Sequence, residues 1–171
     1  MIESHRGRNP FAAMITTAMA LLLLGGCTSG RAGMDTKKMT EFATRYTAAW
    51  CSQNAASVAA HFAEDGSLKI NDGVSAIGRA AITASAQGFM TAFPDMVVAM
   101  DSVSVEGNHA VYRWTLTGTN TGPGGTGKAV KFSGYEEWAI GIDGLIKESL
   151  GHFDDAEYKR QLQVGVGARV P

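Results

Sequence analysis

At Phe93-Pro94-Asp95 the apolar pattern of this chain changes period. Upstream, apolar residues recur every three or four positions, the mark of helices with one buried face; downstream they alternate, the mark of strands. Asp35 caps an expected helix in which Met39, Phe42, Ala43, Tyr46, Ala49 and Trp50 share a face and which stops near Cys51. Asn54 caps a short second helix with Val58, Ala59 and Phe62 on one side, Glu64-Asp65-Gly66 turns the chain, and Leu68 to Ile70 form a short strand. Arg79 to Phe93 reads as a third helix, with Ile82, Ala86, Phe89, Met90 and Phe93 inward and Pro94-Asp95 ending it. After the switch come four long strands, Met96 to Glu106, His109 to Thr119, Ala129 to Ile142 and Leu145 to Phe153, and then a helix from Asp155 to Leu162. Asp143-Gly144 between alternating runs makes the last two strands antiparallel neighbours. Helices first and a meander afterwards give the class α+β.

Ahead of this domain, Arg6 and Arg8 lead an uncharged apolar stretch from Phe11 to Leu24 that ends in Gly25 and Gly26. That order is the pattern of a signal peptide, and the stretch is short for a membrane span. The expected organisation is a signal peptide over 1–26, Cys27 and a small polar tether over 27–34, one domain over 35–165 and a tail over 166–171. Without residues 1–26 the chain loses Glu3, Arg6 and Arg8, keeps 13 of 15 basic and 15 of 16 acidic side chains, and carries a net charge of about −2. No run of Lys or Arg remains to neutralise a line of phosphates, so nucleic acid is not expected as a partner.

In the last strand, alternation puts Ile146, Glu148, Leu150, His152 and Asp154 on one face and Lys147, Ser149, Gly151 and Phe153 on the other. With Ile146 and Leu150 in the first set, that face is expected to line the core, bringing His152 and Asp154 to the rim of a cavity walled by Tyr46, Trp50, Phe89 and Phe93. A carboxyl held out of water resists ionisation and suits acid/base work near neutral pH. The competing reading makes Asp154 the cap of the final helix, and the residues alone weigh the two about evenly. Arg113 pairs with Glu136 or Asp154, binds an anionic part of a ligand, or joins a surface ion pair; Tyr135 and Trp138 are open between cavity wall, core and dimer surface. Gly122 to Gly127 matches G-x-G-x-x-G in letters only, because it joins two strands with no helix to hold a pyrophosphate. His61, His109 and His152 lack metal-site spacing, and Cys51 has no histidine at a telling position. No cofactor or metal is expected.

Two resemblances extend this reading. Leu24-Gly25-Gly26-Cys27 resembles a bacterial lipoprotein box, which implies acylation of Cys27 and lipid anchoring at the cell envelope; Cys51 is then the one remaining thiol. Ala49-Trp50, Gly78-Arg79-Ala80-Ala81-Ile82, Phe93-Pro94-Asp95, Tyr112 to Thr119, Thr126-Gly127-Lys128, Asp143-Gly144 and Arg160-Gln161-Leu162, in this order, resemble the SnoaL-like polyketide cyclase (ester cyclase) branch of the NTF2-like superfamily. The resemblance implies a cone, in which a curved antiparallel sheet wraps about three helices and a cavity opens between the sheet and the first and third helices. It also implies homodimers paired through the sheet and an acidic residue at the end of the last strand, here Asp154. The expected function is then cyclase- or isomerase-type acid/base chemistry on a carbonyl compound. Asp154 and His152 would be catalytic, Tyr46, Trp50, Phe89, Phe93, Arg113 and Trp138 would line the pocket, and no cofactor would be needed. The alternative is a non-catalytic module of the envelope that binds an apolar ligand or a protein.

Overall fold

The structure, a computed structural model, describes residues 35–168. The signal peptide, Cys27, the tether and the end of the tail lie outside the described residues. Helix α1 (Thr36–Cys51) starts where Asp35 accepts a hydrogen bond from the Lys37 N–H at 2.8 Å, and it buries the six apolar residues its spacing predicts. Helix α2 (Ala55–Ala59) is shorter than expected, because Phe62 leaves it to begin β1 (Phe62–Ile70). Glu64-Asp65-Gly66 is therefore a bulge inside a strand and not a turn. Gly66 permits it: a Cβ there would lie 2.8 Å from the Ile146 carbonyl oxygen. A two-residue strand, β2 (Ala76–Ile77), precedes α3 (Gly78–Ala92). The remaining elements are β3 (Val97–Glu106), β4 (His109–Thr119), β5 (Ala129–Ile140), β6 (Ile146–Phe153) and α4 (Asp155–Val164).

The six strands form one curved sheet in the order β2-β1-β6-β5-β4-β3. Every neighbouring pair is antiparallel except β1–β6, which corrects the expectation of a wholly antiparallel sheet. The meander decides this: β6 arrives as its fourth strand and lies beside β1 running the same way. The helices cover the inner face, where Trp138 stacks on Tyr112 with ring centroids 4.8 Å apart and Tyr46 stands edge-on to both. Among the described residues no helix is long and apolar enough to cross a membrane.

One irregularity re-aims the end of the sheet. Ala139 pairs with Glu148 while Ile140 pairs with Ile146, so Lys147 is an extra residue in β6. An extra residue reverses which face every later side chain takes. Ile146 points inward as expected, but beyond the bulge the inward set is Ser149, Gly151 and Phe153, each opposite an inward residue of β5. The expected inward direction of His152 is corrected accordingly: it stands opposite Tyr135 on the outer face.

Candidate functional site

Strand β5 turns Val130, Phe132, Gly134, Glu136, Trp138 and Ile140 inward, a single acid in an otherwise apolar series. Glu136 is buried. Its Oε2 accepts three hydrogen bonds: from the Ser149 hydroxyl at 2.7 Å, the Trp138 indole N–H at 2.8 Å and the Tyr46 hydroxyl at 3.0 Å. Its Oε1 accepts none from the described residues, yet it is not sealed off, since the one buried side-chain nitrogen or oxygen without a partner among them is Trp114 Nε1. Oε1 therefore meets the cavity that Glu136 lines. The ion pairs among the described residues, Lys147–Asp65, Lys159–Asp155 and Arg160–Glu157, lie elsewhere, so no cation compensates this carboxyl. Burial pushes its proton affinity above the ordinary carboxylate value, and the three donors hold it partly down. Burial, and then the nearby Glu136 charge, also push the Tyr46 phenol well above its ordinary range, so Tyr46 remains a donor.

The cavity lies between the ends of α1 and α3 and the inner face of the sheet, and it is partly open to solvent. Trp50, Phe89, Val98, Leu116, Trp114 and Phe153 give it apolar walls. Its volume of about 50 Å³ holds a few waters at ~10–15 Å³ each, against roughly 300–1,000 Å³ in a pocket for a drug-sized ligand. Trp114 faces Gly134 across the β4–β5 pair, and a Cβ on Gly134 would come 2.5 Å from its ring. Leaving the Trp114 N–H buried and unpaired costs about 1–3 kcal/mol.

In sequence, the SnoaL-like domain matches residues 43–149, most of the described region. The chain belongs to the SnoaL-like domain family. Solved structures agree on its fold. A hypothetical protein with a ketosteroid isomerase-like fold from Catenulispora acidiphila DSM 44928, solved with trimethylamine, superposes with a TM-score of 0.65 at 17% identity, covering 77% of this chain and 98% of that one. A SnoaL-like polyketide cyclase candidate from Jannaschia sp. CCS1 gives a TM-score of 0.59 at 18% identity over 71% and 91% of the two chains. SalBIII, an epoxide hydrolase/cyclase-like enzyme with a role in pyran ring formation in the polyether salinomycin, gives 0.62 at 16% identity over 72% and 95%. At these identities the likeness establishes the fold alone. No curated protein matches the chain in sequence.

Within this SnoaL-like domain the expected site residues separate into three groups. Trp50 and Phe89 line the cavity. Tyr46, Phe93 and Trp138 are fully buried in the core, and Tyr46 and Trp138 serve as donors to Glu136 instead of walls. Arg113, His152 and Asp154 lie outside. Arg113 is exposed on the outer face with its guanidinium 5.8 Å from the Tyr135 ring centroid, and it forms an ion pair with neither Glu136 nor Asp154. His152 stacks on the same ring at 4.8 Å and borders an open surface groove with Asp155. Asp154 is exposed and accepts the Glu157 N–H at 2.9 Å, which makes it the cap of α4. The expected pair of His152 and Asp154 is therefore not assembled at the cavity, because the Lys147 bulge turns one outward and the helix start engages the other. Glu136 was the residue to find: the signal was one acid in the inward register of β5.

The remaining sequence features have structural explanations. The Gly122 to Gly127 run joins two strands, and Asn120 ties it down by donating to the Ala92 carbonyl and accepting the Thr126 N–H. Cys51 bonds both backbone groups of Val98 at 3.2 Å. Among the described residues no group of three or more His, Cys, Asp or Glu could hold a metal ion.

Proposed function

We propose that this SnoaL-like domain is a small-molecule enzyme that performs cyclase- or isomerase-type acid/base chemistry on a carbonyl compound, with Glu136 giving and taking the proton. The observation that carries this reading is the buried Glu136 carboxyl, with three donors on Oε2, no cation, and Oε1 toward an apolar cavity. A buried acid without a compensating charge destabilises a fold, and an apolar residue there would be cheaper. Burial raises its proton affinity, the direction that acid/base work by a carboxyl requires. With Oε2 anchored, the ionised Oε1 removes a proton from the carbon next to the carbonyl. The resulting Oε1–H returns that proton to another carbon of the enolate, so the step balances without a cofactor. Asp154 and His152, outside the cavity, take no part in it.

Hydrogen–deuterium exchange at the α-carbons of a panel of small ketones in D₂O tests this with the full chain. The Glu136→Gln variant is expected to lose at least ~100-fold in exchange rate, the scale of a general acid/base, and Asp154→Asn to keep the wild-type rate. Exchange that survives Glu136→Gln would remove the proposal. The small cavity, of about 50 Å³, favours a second reading, the non-catalytic binding module that holds a partner protein, which predicts no exchange above background.

The charged start, the apolar stretch and Cys27 support export and lipid anchoring at the cell envelope as part of the same proposal. Loss of fatty-acid labelling in Cys27→Ser is its test. Half-exposed Tyr135 on the outer face supports pairing of two copies through the sheet, to be read by sedimentation.

A further inference from the structure

Among the described residues Trp114 is singular: it lines the cavity, it is only partly buried, and its N–H is the one buried side-chain donor with no acceptor. Trp138, by contrast, is fully buried with its N–H committed to Glu136. Native proteins rarely leave such a donor unpaired, and the exceptions have explanations in function or strain. Packing, and no hydrogen bond, holds the Trp114 ring. It faces bare Gly134, and Phe132 and Phe153 meet it edge-on, with centroids 5.8 and 6.3 Å away. The cavity is too small for an ordinary ligand while the indole keeps its seat.

We propose that Trp114 reads the ligand: as a neutral ketone enters, the indole turns, donates its N–H to the carbonyl oxygen, and in leaving its seat over Gly134 enlarges the cavity for the rest of the molecule. This rests on the reading of the cavity as a carbonyl site. The register supports it, because Trp114 pairs with Gly134 while Glu136 stands two residues further along the same face. Diagonal neighbours on a sheet lie roughly 7–8 Å apart, a span that one hydrogen bond, a carbonyl, its α-carbon and a proton transfer fill. The ligand is neutral, since the cavity offers no cation to a carboxylate and Glu136 would repel one. It is also compact, of the size of a single-ring ketone, because only the volume of one side chain is released.

The chain has three tryptophans, so its indole N–H groups give three resolvable NMR signals. The full chain, labelled with ¹⁵N at the indoles and assigned through Trp→Phe variants, is titrated with cyclohexanone and with methylcyclohexane as a hydrocarbon of the same shape. The expected result is a downfield move of the Trp114 N–H with the ketone alone, and affinity for the ketone about tenfold weaker in Trp114→Phe, the size of one hydrogen bond. A Trp114 signal unmoved at saturation, equal affinity in Trp114→Phe, or no binding of the ketone would each overturn the proposal. Glu136→Gln separates the two readings. Ketone exchange without a Trp114 shift ends the role of Trp114 alone, whereas a Trp114 shift without exchange leaves that role intact and ends the acid/base reading.

Discussion

Glu136 concentrates its hydrogen bonds on one oxygen, which fixes its orientation while leaving the other oxygen free, and it makes the pH dependence of the fold readable at one residue. Burial raises its proton affinity in the native state above the ordinary value of 4.5. Between those two values the native state holds a proton that the unfolded chain has released, so its contribution to stability is complete below about pH 4.5 and is lost as pH climbs through the raised native value. Glu136→Gln should therefore gain on the wild type as pH rises from 4 to 8, and urea denaturation at both ends checks it; a gap independent of pH would contradict the assignment. Asp154→Ala should cost about 1 kcal/mol through the lost cap of α4 and leave the cavity unchanged, which denaturation and the same ketone titration would show. The sequence did carry Glu136, as the acid in an inward apolar series. The convergence of Tyr46, Trp138 and Ser149 on it comes from elements far apart in the chain, and no local pattern encodes it.

At the scale of elements, local signals were reliable where the structure is local. The six buried residues of α1 follow from spacing, and the strand boundaries of β4 fall on the expected residues. Two of the departures are bulges. Lys147 has no composition to mark it as an extra residue, so parity carried through it gives the wrong face for His152. Glycine in an alternating run signals either a turn or a bulge, and at Gly66 it is the bulge. Gly66→Ala should lower stability by about 1–3 kcal/mol, as overpacking does, because its Cβ would meet backbone and no flexible side chain can yield. A cost under a few tenths in equilibrium unfolding would mean that the β1 bulge rearranges freely.

For the whole domain, class and architecture followed from the helix-then-meander order and from the family likeness, while the parallel β1–β6 pair did not. Phe62 pairs with Ile146 and Ile70 with Gly151, contacts that only the completed chain can make. Sheets dominated by such distant pairings fold in roughly milliseconds to seconds, so stopped-flow refolding by Trp fluorescence should show a main phase in that range and none in the microsecond range of helical bundles. The strand order has a further consequence for synthesis. β5 and β6 fill the gap between β1 and β4, so a nascent chain that ends before Ala129 carries two open sheet edges and no lid over the rings of Tyr46, Phe62 and Tyr112. The sheet becomes one piece only when the β5–β6 hairpin is in place between β1 and β4.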